Sequence, residues 1–114
     1  MTKNNKKIKL KGLTASLGIA EGRVIFLKKQ KDLLGIKDDS IIVTDKITTE
    51  YTIGFARARA VIASKGGVTC HAAILCRELK KPCVVGCGEV FNLLKDGERI
   101  IFNADNLSVD VVDS

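Results

Sequence analysis

The amino-acid sequence predicts an α/β fold on a mainly parallel central sheet, and three observations predict it. Short β-rich runs alternate with helical stretches between Ser40 and Leu94, and strand–helix–strand repeats imply parallel pairing. Early strands and a closing hairpin add antiparallel pairing. At 114 residues, 46% of them hydrophobic, the chain is long enough for one cored domain and too short for two further catalytic domains around it.

The elements follow in order. Residues 1–7 are expected as a disordered basic tail, and residues 8–114 as a single domain. Ile8–Leu10 and Gly22–Leu27 read as strands, the second rich in Val, Ile and Phe. Asp32–Gly35 reads as a helical turn, and Ser40–Thr44 as a buried strand. Thr48–Ala58 is expected as a helix capped by Thr48 or Thr49. Ala60–Ser64 is the strand that feeds a Gly-Gly pair. The helix Thr69–Lys80 follows, stopped by Pro82, which opens the strand Cys83–Gly86. Glu89–Leu94 is a short helix, and Arg99–Asn103 with Ser108–Val112 forms the hairpin. By helical spacing, Ile74, Leu75 and Leu79 are core residues.

Chemistry concentrates in residues 66–77, Gly-Gly-Val-Thr-Cys-His-Ala-Ala-Ile-Leu-Cys-Arg, which hold the single histidine of the chain, His71. Thr69 is the expected N-cap, so Cys70 and His71 fall at the first helical positions. First-turn amides lack partners inside a helix and carry the positive end of its dipole. They favour the uncharged, nucleophilic imidazole and can then hold an anion attached to it. Gly66 and Gly67 let the backbone turn tightly and approach a phosphoryl group. A lone histidine near a helix start is by itself an ordinary structural residue, and Gly-Gly is an ordinary turn signal. Their combination marks a candidate anion site with a nucleophile, in which Gly66, Gly67, Val68, Thr69 and Cys70 form the receiving loop.

Residues 64–88, from Ser64-Lys65-Gly66-Gly67 through Lys81-Pro82-Cys83-Val84-Val85-Gly86-Cys87-Gly88, closely resemble the mobile phosphohistidine (swivelling) domain of phosphoenolpyruvate-utilising enzymes. The Thr69-Cys70-His71 triplet and the Val84–Gly88 stretch look most like the pyruvate,water dikinase (phosphoenolpyruvate synthase) branch. Looser similarity covers Ala15–Val24 and Leu94–Glu98. The resemblance implies a three-layer β/β/α swivelling fold. It implies phosphorylation of His71, and transfer between an ATP-binding partner and a phosphoenolpyruvate/pyruvate-binding one. It also implies that Mg²⁺, ATP and phosphoenolpyruvate sit on those partners, this domain binding no cofactor and no metal and turning nothing over alone. Thr69 matches a position that a regulatory protein phosphorylates in dikinase relatives; capping explains it equally. Departures from the pattern are Leu17 for proline, Cys76 for a small residue, Lys80-Lys81 for a Gly-apolar pair, Val90-Phe91 for Ala-Thr, and Asn106-Leu107 where glycine is frequent.

Rival chemistries fare less well. Cys70, His71, Cys76, Cys83 and Cys87 lie within 18 residues. Yet Cys70 and Cys76 sit about 120° apart around a helix, and helical zinc pairs want separations of three or four. Cys70, at the helix start, is expected to pack against or orient His71, with a reactive thiol as the alternative. Arg77, also about 120° from His71, is expected to meet solvent or a partner rather than the phosphoryl group. Residues 1–37 carry ten Lys/Arg against two acidic residues. Without interleaved aromatics this reads as a solvated or acid-docking face before a nucleic-acid surface. Four cysteines without a secretory signal, and no apolar segment of membrane-spanning length, lead to an expected cytoplasmic location without membrane contact. A non-catalytic regulatory or scaffold module with the same fold remains open beside the carrier reading.

Overall fold

A computed structural model describes residues 6–112. Eight strands form one sheet: β1 (Lys6–Lys9), β2 (Leu13–Ser16), β3 (Ile19–Leu27), β4 (Ser40–Thr44), β5 (Ala60–Ala63), β6 (Cys83–Val85), β7 (Arg99–Asn103) and β8 (Ser108–Val112). Their order across the sheet is β1-β8-β7-β3-β4-β5-β6-β2. That order constrains the shape. β1 and β2 lie at opposite edges, yet only Leu10, Lys11 and Gly12 join them. Four Cα steps span at most about 14 Å, whereas a flat sheet of this width would hold its edges about 34 Å apart. The sheet therefore curls until its edges approach. A bond across the seam records this: Thr14 Oγ1 in β2 donates to Ala104 O, just after β7, at 2.6 Å.

The sheet is mixed. β3–β4, β4–β5 and β5–β6 are parallel, each reached through a crossover. The pairings β1–β8, β8–β7, β7–β3 and β6–β2 are antiparallel. The expectation of a mainly parallel sheet is thus corrected. Only the crossover-linked middle is parallel; β7–β8 is a hairpin, and the other antiparallel pairs, β3–β7, β1–β8 and β2–β6, join strands far apart in sequence.

Alternation along the buried strands sorts side chains onto two faces. On the concave face Val24, Ile41, Val43, Ala60, Ile62, Val84, Ile100 and Phe102 form one core, closed by Leu10, Val90 and Leu94. On the other face Ile42, Val61, Ala63, Cys83 and Val85 pack under Phe55 and the helix α2 (His71–Leu79). Burying Phe55 or Phe102 completely contributes about 1.5–3 kcal/mol each.

Several elements differ from expectation. β1 begins at Lys6, so residues 6 and 7 belong to a strand rather than a tail, and residues 1–5 lie outside the described residues. β2 was not legible, and β3 starts at Ile19, three residues early. The expected helix Thr48–Ala58 is a short α1 (Thr49–Thr52) followed by a 3₁₀ turn, Ile53–Arg57. Gly54 in that turn weakens a helix, and a Cβ there would sit 2.7 Å from Ile36 Cδ1. The last short helix, α3 (Val90–Leu93), falls inside the expected range.

Candidate functional site

The parallel strands deliver the site. β5 ends beside β4, where the Ser64 N–H donates to Thr44 O at 2.8 Å, and the chain then enters the glycine loop. Gly66 has φ +94°, a left-handed conformation that costs a side-chain-bearing residue about 1–2 kcal/mol. A Cβ on it would meet Cys70 Sγ at 2.8 Å. Gly86, also left-handed, comes alongside: its N–H donates to Lys65 O at 3.1 Å, and a Cβ on it would lie 3.2 Å from Gly66 O. Two glycine backbones thus approach where β5 and β6 both end. Gly67 differs, with open space where its Cβ would be. The loop closes when the Cys70 N–H donates to Gly67 O at 3.0 Å.

Cys70, not Thr69, is the N-cap of α2, and its side chain makes no capping bond. Thr69 lies one residue earlier, exposed. The first helical bond runs from the Ile74 N–H to Cys70 O at 3.1 Å. His71 is therefore the first helical residue, exposed, at a helix start that no side chain caps. Such a start leaves amide donors for a ligand.

The buried side of α2 is Ala72, Ala73 and Cys76. Ile74 and Leu79, expected in the core, are 46% and 36% exposed, while Leu75 is half-buried against the helix-side core. Small alanines let the helix lie close on the sheet, which turns Ile74 onto the His71 side. Val68, 45% exposed, adds a second apolar side chain in the loop.

Arg77 also departs from expectation. Its Nη2 donates to Val68 O at 2.7 Å, and its Nη1 donates to Ala15 O in β2 at 3.0 Å. Helical side chains lean toward the helix N-terminus, so a residue six positions after His71 reaches the loop before it. Spacing around the helix alone hides this. Gly86 was visible only as part of the Val84–Gly88 run.

The four cysteines are free. Cys76 and Cys83, both buried, share a hydrogen bond, which together with burial pushes the Cys83 thiol up. Burial pushes the Cys87 thiol up to about 11. Cys70 alone of the four is partly accessible. Among the described residues, no three His, Cys, Asp or Glu side chains converge in a metal-holding group. No helix among them is long and apolar enough to cross a membrane.

The molecule is thus an α/β domain on a mixed, crossover-linked sheet, with a glycine loop at the strand ends and a histidine opening the next helix. Residues 36–106 match the family described as PEP-utilising enzyme, mobile domain, and this chain belongs to that family. It is 44% identical over 91 residues to a probable phosphoenolpyruvate synthase of Archaeoglobus fulgidus, covering 80% of this chain and 12% of that protein. It is 35% identical over 94 residues to the phosphoenolpyruvate synthase of Escherichia coli, covering 82% and 12%. The chain thus spans about an eighth of the length of these relatives. Among solved structures, a UPF0107 protein in solution superposes with a TM-score of 0.69 at 18% identity, covering 95% of this chain and all of that one. That likeness concerns the fold alone. Enzyme I superposes at 0.58 with 27% identity, covering 69% of this chain and 33% of that one.

Proposed function

We propose that this chain is a phosphoryl carrier that accepts a phosphoryl group on His71 and passes it between an ATP-binding partner and a phosphoenolpyruvate/pyruvate-binding one. The observation that supports it most is the placement of His71: exposed, first in α2, at an uncapped helix start beside a glycine-hinged loop. In the loading step a ring nitrogen attacks phosphorus, the new N–P bond forms, and the P–O bond to the donor's leaving group breaks. Residues Gly66–Cys70 receive the phosphoryl oxygens. Mg²⁺ and the nucleotide belong to the partners, which neutralise charge on the group in flight.

The same reading layers the molecule β/β/α, the curled sheet below and the helices above, and leaves the helix face free to dock alternately. It places the protein in the cytoplasm, where reducing conditions keep its four thiols free. Thr69, exposed beside His71, is open to a modifying kinase, and a phosphate there would compete for the same amides.

The test is covalent. Offered a loading partner and labelled donor, the chain gains one phosphoryl group that is acid-labile and base-stable, and His71→Ala abolishes it. Label that survives this substitution moves the site to Thr69 or elsewhere. A folded chain that takes no label at all with competent partners leaves the scaffold role.

A further inference from the structure

We infer that Arg77 is a positioning residue for phosphoryl transfer at His71, fixing the Val68–Thr69 peptide so that the Thr69 N–H faces the arriving phosphoryl group. The inference rests on the carrier reading above.

Arg77 stands in the last turn of α2 and bonds outward to two other elements, Val68 O in the loop and Ala15 O in β2. A guanidinium is a planar, permanently charged fork, so one rigid group ties helix, loop and edge strand together. Its grip on Val68 has a stereochemical consequence. In a planar trans peptide the C=O and N–H point to opposite sides, and the described chain holds no cis bond. With Val68 O drawn onto Arg77, the Thr69 N–H is turned away from it. That N–H finds no acceptor among the described residues, whereas the neighbouring Cys70 N–H is already spent on Gly67 O. Thr69 thereby adds one donor to the uncapped amides that open α2.

The two carbonyls take two of the five N–H donors of Arg77, and the role assigned to it is holding the loop. A positioning role and a plain structural staple share the same two bonds. They differ in what happens at Thr69 when His71 is modified.

The experiment uses the whole chain and phosphoramidate, a chemical phosphoryl donor that needs no partner. Its N–P bond breaks as a ring nitrogen of His71 bonds to phosphorus, and ammonia departs with the proton that the imidazole gives up. In the wild type, phosphorylation of His71 moves the Thr69 amide resonance downfield, the sign of a new charged acceptor. Arg77→Met phosphorylates about tenfold more slowly, the worth of one well-placed hydrogen bond to a charged group. Its Thr69 resonance responds weakly, and Arg77→Lys restores part of both. A wild type that phosphorylates with no Thr69 response overturns the inference, even if Arg77→Met fails to fold. So does a folded Arg77→Met with wild-type rate and response, which leaves Arg77 a staple and the carrier reading intact. A wild type labelled no faster than His71→Ala removes the carrier reading and this inference together.

Discussion

Ile74 stands one helical turn beyond His71 on the exposed side of α2, with 46% of its own surface in solvent. Residues three apart on a helix are surface neighbours, so His71 has an isoleucine beside it. Val68, 45% exposed, sits in the loop that precedes it. An apolar surround of this kind is what a partner needs to exclude water around a transferring phosphoryl group.

Ile74→Glu should therefore slow loading of His71 by a partner about fivefold or more, the effect of losing roughly 1 kcal/mol at a contact. Stability should move by less than about 0.5 kcal/mol, because the side chain is on the surface. Transfer assays paired with thermal melts separate the two. An unchanged rate would mean that partners do not cover this face.

The two loop glycines should respond differently. Gly66→Ala forces a left-handed residue against Cys70 Sγ and should cost about 1–2 kcal/mol. Gly67→Val enters open space and should leave the circular dichroism native-like. If the loop receives the phosphoryl oxygens, phosphorylation of that variant should still slow severely. Normal transfer by Gly67→Val would reduce Gly67 to a turn residue. Thr69→Ala, at a position that is not the cap, should barely change the melting temperature.

Among the described residues, Lys80 (φ 58°) and Leu107 (φ 59°) are the left-handed non-glycine residues, and both stand at departures from the resembled pattern where glycine is expected. Lys80 is the C-cap of α2, and its N–H donates to Arg77 O at 3.2 Å. Glycine relieves a strain of about 1–2 kcal/mol but adds freedom to the unfolded chain. Lys80→Gly should thus stabilise by up to about 1 kcal/mol in urea titrations. A destabilised variant would show that the lysine side chain makes a contact worth more than the strain.

Asp32 accepts from the Lys28 N–H at 2.9 Å and the Lys29 N–H at 3.0 Å, opening the 3₁₀ turn Gln30–Gly35. These bonds, the one from Lys28 foremost, and the charges of Lys29 and Lys31 outweigh partial desolvation and hold its carboxyl below the usual range. A depressed carboxyl stabilises the fold fully above the ordinary carboxylate range and loses that contribution as pH falls through the folded value. Asp32→Ala should cost about 0.5 kcal/mol at neutral pH, a modest figure for a half-buried carboxylate that accepts from the N-cap backbone. The gap from wild type should close below about pH 4. A constant gap from pH 7 to pH 3 would remove the charge from the explanation.

The sequence by itself determined the buried parallel strands, the glycine loop, and a helix starting within two residues of His71, though not that Cys70 rather than Thr69 stands at its cap. Each is encoded locally: apolar runs such as Ser40–Thr44, two consecutive glycines, and an alanine-rich start. Their particular combination also made the family legible over residues 64–88, and the match over residues 36–106 agrees.

Other features were decided only in three dimensions. β2 pairs with β6, about seventy residues later, so its short run Leu13–Ser16 carries no local signal. The antiparallel flanks depend on which edges meet once the sheet curls. Ile74 left the core because the sheet accepts the small face of α2 rather than its large one. Arg77 reached Val68 because a long side chain leans back along its helix, and Ala15 O was there only because β2 had paired alongside. Local propensity and spacing report what a residue can do; long-range pairing chose which neighbours it met.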